Sequence, residues 1–183
     1  MSVVYITILR GINVSGQKKI NMAELRQLLS NLGFQELDTY IQSGNIVFKA
    51  DQNANELAVT IRECILNHFG FEVPTLVLPA DEMDMVIQEN PFQDKDLNKL
   101  HVTFLSSQPN GQLIESLPPS PNPNESYLVK GKVIYVYCPD GYGRTKINNM
   151  FFERKLKTTA TTRNWKTCWK LWEMAERISK QNL

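Results

Sequence analysis

Between Val3 and Leu78 the chain alternates β-rich runs with helical stripes in the order β-α-β-β-α-β, and this order limits its fold more than any other feature. Val3–Leu9 (VVYITIL) is rich in β-branched residues and reads as a strand buried on both faces. Met22, Leu25, Leu28, Leu29 and Leu32 then make one apolar stripe, with Asn21 placed to cap a helix and Gly33 to end it. TYIQSGNIVF holds two β-rich runs around Ser43-Gly44, which predicts a hairpin. Leu57, Ile61, Ile65 and Phe69 predict a second helix from about Asn55, closed by Gly70. Val73–Leu78 is a further strand, and Pro74, which has no N–H to donate, assigns it to an edge or a strand start. The order is that of the split βαβ arrangement in ferredoxin-like folds.

A connecting helix is expected at Asp81–Gln88, and the same order then recurs. His101–Leu105 reads as a strand, Gly111–Leu117 as a short helix, and Tyr127–Lys130 with Val133–Tyr137 as a hairpin around Gly131. A helix follows from about Lys146, a short strand at Thr158–Thr161, and a long terminal helix capped by Asn164 and running to about Lys180. The expected fold class is therefore α+β: two ferredoxin-like (βαββαβ-type) halves packed together, with a long C-terminal helix. The expected boundaries are 1–78 for the first half, 79–98 for a connecting helix and loop, and 99–183 for the second.

Hydrophobic residues make up 42% of the chain, enough for packed cores, but no apolar stretch approaches the roughly 20 residues that span a bilayer. No membrane partner is expected. Cys64, Cys138 and Cys168 are odd in number and never form CxxC, which fits reduced thiols in the cytoplasm better than a disulfide framework or a zinc knuckle. Net charge is only +1, yet it is unevenly spread. Residues 51–115 carry three Lys/Arg against eleven Asp/Glu, a net −8, and residues 141–183 carry ten Lys/Arg against three Glu, a net +7. Either these faces attract one another within the fold, or the basic one receives an anionic partner.

Two glycine turns carry cations. ILRGINVSGQKKI has the outline of a phosphate-binding Walker loop, but Gln17 occupies the lysine slot, Lys18 comes one residue late, and Lys19 replaces the hydroxyl that would hold magnesium. NTP hydrolysis is therefore not expected. Gly11 and Gly16 still let the backbone turn and expose N–H groups beside Arg10, Lys18 and Lys19, a nest able to hold an anion without metal. In Gly141-Tyr-Gly143-Arg-Thr-Lys146, lysine stands where a dinucleotide fingerprint needs its third glycine. Arg144 can form a bidentate pair with phosphate or carboxylate, and Lys146 adds a point charge. Arg163 precedes the terminal helix, whose N-terminus favours anions.

No catalytic constellation emerges. His68 and His101 lack paired metal-ligand spacing, so no metal and no cofactor is expected. Cys168 lies within the terminal helix beside Trp169, and Ser43 has the wrong context for a nucleophile elbow. Trp165, Trp169 and Trp172 form one helical stripe, the pattern of a core face.

LRGINV, YIQSGNIVF, DGYGRTK and TTRNWKT, taken together and in this order, resemble the bacterial domain-of-unknown-function 1697 family, from residue 3 to about residue 175. The resemblance implies a cytoplasmic α+β protein of two ferredoxin-like halves and no established activity. The chain departs from the family pattern at Ser15, where a second glycine is common. The motif positions fall on Arg10, Asn13, Gln42, Ser43, Gly44, Asn45, Arg144, Lys146, Thr162, Arg163 and Asn164. Packing alone does not require these identities, although Gln42 and Asn45 flank a tight turn and can serve the hairpin backbone.

The leading expectation is metal-independent binding of a small phosphate- or carboxylate-bearing molecule at an arginine-lined cleft. Arg10, Lys18, Arg144, Lys146 and Arg163 would supply charge, and Asn13, Gln42, Ser43, Gly44, Asn45 and Asn164 orientation. The alternatives are a nucleic-acid-binding protein using the basic C-terminal third, and an enzyme on a phosphorylated metabolite. The sequence sets no oligomeric state.

Overall fold

The computed structural model describes residues 2–180, which divide into two compact units. One comprises the chain up to Met85 together with the residues from Lys170 onward, and the other runs from Val86 to Trp169. The division passes within α3 (Ala80–Gln88) and within α6 (Trp165–Lys180).

The first unit contains β1 (Val3–Leu9), α1 (Met22–Asn31), β2 (Gln35–Tyr40), β3 (Asn45–Ala50), α2 (Ala54–Phe69) and β4 (Thr75–Pro79), in an antiparallel sheet of order β2-β3-β1-β4. This is the ferredoxin-like topology expected from the element order. Alternation along the strands sends Tyr5, Leu9, Ile46, Phe48 and Val77 toward Leu25 and Leu29 of α1 and Leu57, Ile61 and Ile65 of α2, all buried in one core. The other face carries the buried Val4, Ile6, Ile8, Val47 and Leu78, and also Lys49. Asn21 caps α1 by accepting from the Ala23 and Glu24 amides. Asn53 and Glu56 form a reciprocal capping box on α2, which Gly70 ends in the left-handed conformation.

β2 starts earlier than its composition predicts. QELDTY shows no apolar alternation because the strand is bulged between Gln35 and Asp38, where Glu36 takes a φ of 47°. The bulge turns the Glu36 carboxylate toward Lys49, whose Nζ donates to Oε1 at 2.9 Å.

The second unit repeats the topology with β5 (Leu100–Leu105), α4 (Gly111–Glu115), β6 (Ser126–Lys130), β7 (Val133–Tyr137), α5 (Asn149–Leu156) and β8 (Ala160–Asn164), in the order β6-β7-β5-β8. Leu105, Ile134, Val136 and Ala160 pack with Phe152 and Leu156 of α5. α5 begins at Asn149 and not near Lys146, because Asn148 caps it and Thr145 is tied elsewhere. β8 likewise begins two residues after the expected Thr158. Among the three tryptophans, Trp165 is buried, Trp169 is exposed, and the half-buried Trp172 donates its indole N–H to Asp84 at 2.9 Å. No helix among the described residues is long and apolar enough to cross a membrane.

Candidate functional site

In the first unit, folding gathers Arg10, Asn13, Gln42, Ser43, Gly44 and Asn45 around the end of β1. Positive φ values at Gly11, Asn13, Ser15, Gly16 and Lys18 coil the segment after Arg10 back on itself. Asn13 holds the coil: its Oδ1 accepts from the Ile20 amide at 2.9 Å, and its Nδ2 donates to Ile20 O at 3.0 Å and Gln42 O at 2.8 Å. The last bond ties this loop to the hairpin tip. Gly44 O accepts from the Leu9 amide, and the buried Asn45 donates to Tyr40 O and Ser43 Oγ. The amide side chain of Asn13 therefore serves the backbone, and that of Asn45 serves the hairpin turn. Arg10 is half-buried, its amide on Pro74 O, and Lys18 donates to Glu72 O at 2.7 Å.

In the second unit, the glycine turn after β7 presents Arg144 and Lys146 to solvent. Between them Thr145 is buried, donating to Glu125 Oε2 at 2.8 Å and accepting from the Ile147 amide. Glu125 also accepts from Ser120, so one buried carboxylate anchors two loops, a role that nothing in its sequence neighbourhood signals. Tyr142 donates to Thr162 Oγ1 at 2.9 Å. Thr162 in turn donates to Asn149 Oδ1, leaving Thr103 to donate to Thr162 at 2.7 Å. The His101 ring stacks on Tyr142 with centroids 4.7 Å apart, and its buried Nδ1 has no hydrogen-bond partner among the described residues.

Burial pushes the His101 pKa below the ordinary 6.5, and a backbone contact at Lys99 offsets part of that. A base with a depressed folded pKa stabilises the fold above its unfolded value, and this contribution is lost as pH falls through the folded one. Thermal midpoints should accordingly fall as pH is lowered from neutral through the depressed His101 pKa, and His101→Gln should flatten that part of the profile. A profile of unchanged slope in the variant would remove His101 as the cause.

Strand alternation places Arg163 on the opposite face of the sheet from Thr162, to which Tyr142 of the Arg144 turn is bonded. Arg163 Nη1 donates to Thr162 O at 3.0 Å, and burial pulls the guanidinium down to about 10, partly offset by Cys168. Asn164 accepts from the Thr167 amide at 2.8 Å and so caps α6. The first turn of α6 contains no acidic residue and exposes Lys166, a cation that the motif reading did not include. The first turns of α4 and α5 also lack an acid, whereas those of α1, α2 and α3 carry Glu24, Glu56 and Asp81 with Glu82 respectively.

Part of the C-terminal charge excess is paired. Lys170 meets Glu173, Lys180 meets Glu176, and Arg177 meets Asp38 at 2.7 Å. Arg144, Lys146, Arg154, Lys155, Lys157 and Lys166 are exposed.

The cysteines behave as packing residues. Cys138 and Cys168 are fully buried, which pushes their thiols up to about 11 and about 12, while the half-buried Cys64 is raised less. A thiol reagent should modify Cys64 in the native protein and reach the other two only after denaturation. Cys64→Ser should abolish the native reaction, and a remaining fast thiol would contradict this core packing.

The family described as "Protein of unknown function (DUF1697)" matches over residues 2–135. No curated protein matches the chain. Among solved structures, the conserved bacterial protein SP0830 from Streptococcus pneumoniae is similar, with a TM-score of 0.71 and 27% identity, covering 96% of this chain and 99% of that one.

Proposed function

The chain belongs to the DUF1697 family, proteins of unknown function, and from that premise we propose that it is a metal-independent binding protein for a phosphate- or carboxylate-bearing ligand. The observation that carries this reading is the charge at the start of α6. Arg163 and Lys166 stand at the positive end of the helix dipole, and its first turn holds no acid. Cations at a helix N-terminus each cost roughly 0.3–1 kcal/mol, so a bound anion reverses the sign of two unfavourable terms together. Arg163 already gives one donor to Thr162 O, and a guanidinium, with five N–H donors, is the side chain best suited to pair with carboxylate or phosphate oxygens. Arg144 and Lys146, in the same unit, add charge that draws anions in.

Calorimetric titration with inorganic phosphate, pyrophosphate and citrate at low ionic strength tests the proposal. At least one should bind, and Arg163→Ala and Lys166→Ala should each weaken it about tenfold. Binding that persists unchanged in both variants, or no binding of any of the three, would sink it. The proposed setting is a bacterial cytoplasm, supported by three free thiols and the bacterial origin of the similar structure.

A second reading, nucleic-acid binding, is favoured by the exposed cations between Arg144 and Lys166. It requires an affinity that falls linearly with the logarithm of salt concentration. A gel-shift titration at low salt with no complex on DNA or RNA eliminates it.

A further inference from the structure

The buried lysine on the non-helical face of the first sheet carries an inference separate from the α6 terminus. Lys49 is only 6% exposed and its sheet-face neighbours Val4 and Val47 are apolar, so an ammonium there costs stability that an apolar side chain would not. Its partner Glu36 reaches it from a bulge with φ 47°, a conformation that non-glycine residues avoid. Two unfavourable terms thus meet at one place, and that place is open to solvent. Lys49 and Glu36 both line a cleft of about 550 Å³, together with Val4, Gln35, Asp81 and Ser179. The volume suits a small molecule. The lining presents one ammonium, two carboxylates, a carboxamide and a short apolar wall, so it is complementary to a ligand bearing charges of both signs.

We propose that this cleft is a second binding site, one that takes a zwitterion of amino-acid size, its carboxylate against the Lys49 ammonium and its own ammonium toward Glu36 and Asp81. On this reading the Glu36–Lys49 pair lines the cleft wall so that a ligand can enter between its charges and exchange one ion pair for two.

The experiment is an amide NMR titration of the full chain with pools of the standard amino acids at millimolar concentration. Saturable shifts are expected at Gln35, Glu36, Lys49 and Asp81. For any amino acid that binds, the matching deaminated acid and decarboxylated amine should each bind at least about tenfold more weakly, since each leaves one charge of the cleft unmatched. Asp81→Asn removes one carboxylate but keeps an oxygen for the Glu82 amide that Asp81 now caps, so it should fold normally and weaken binding by a similar factor. Lys49→Met should abolish binding while the spectrum stays dispersed. The proposal is overturned if no pool moves these resonances, if acid or amine alone binds as tightly as the zwitterion, or if Asp81→Asn binds as tightly as the native protein. The reporters lie in the first unit and the start of α6 in the second, so either site can fail without the other.

Discussion

Gly44→Ala is expected to destabilise the first unit by about 3 kcal/mol or more, lowering its thermal midpoint by at least roughly 12 °C. Two causes act at once. Gly44 has a φ of +81°, where an L side chain is strained by about 1–2 kcal/mol. A Cβ placed there would also lie 2.6 Å from Leu9 Cβ and 2.8 Å from Ile12 Cδ1, both on fully buried residues that cannot give way. The close approach follows from the bond between Gly44 O and the Leu9 amide, which draws the hairpin tip against the end of β1. Gly16→Ala separates the two causes, since its φ is +75° but a Cβ there meets nothing within 4 Å. That variant should lose only the conformational part, about 1 kcal/mol. Equal losses measured by denaturant unfolding at the two positions would show that the contact with Leu9 contributes nothing.

Much of the architecture was legible because local signals agreed with one another. The β-branched run at β1, the caps at Asn21 and Asn164, and the left-handed stop at Gly70 are decided by neighbours within a few residues. What sequence did not reveal depended on distant partners. The start of β2 was hidden because its bulge breaks alternation in a polar stretch, and the pairing of Lys49 depends on a bulge residue 13 positions earlier. Glu125 looks like one more loop acid, yet it holds Thr145 from 20 residues away. The motif residues were legible as positions but not as roles: Asn13 acts on a carbonyl 29 residues later, and no local pattern encodes that distance. The basic C-terminal third was legible as composition, but its pairing of Arg177 with Asp38 crosses 139 residues.

Asn13 gives the other large effect, and it separates a structural from a ligand-binding role for the first glycine turn. Asn13→Ala leaves the Ile20 amide, Ile20 O and Gln42 O without their side-chain partner, and it puts alanine at a φ of 54°, which asparagine tolerates better. The expected loss is about 2–4 kcal/mol in denaturant unfolding. Asn13→Asp should be worse at neutral pH. It keeps the acceptor for the Ile20 amide but turns a carboxylate toward two carbonyl oxygens, Ile20 O and Gln42 O, where the native side chain donates. The same repulsion raises the folded pKa of the new carboxyl above its unfolded value, because only the protonated form can donate. Relative to the native protein, the aspartate variant should therefore recover stability as pH falls below the folded pKa and lose it again as pH rises. A side chain that served a ligand alone would show neither the alanine loss nor this acid recovery. Stabilities of both variants equal to the native protein across the pH range would return Asn13 to the ligand-binding group.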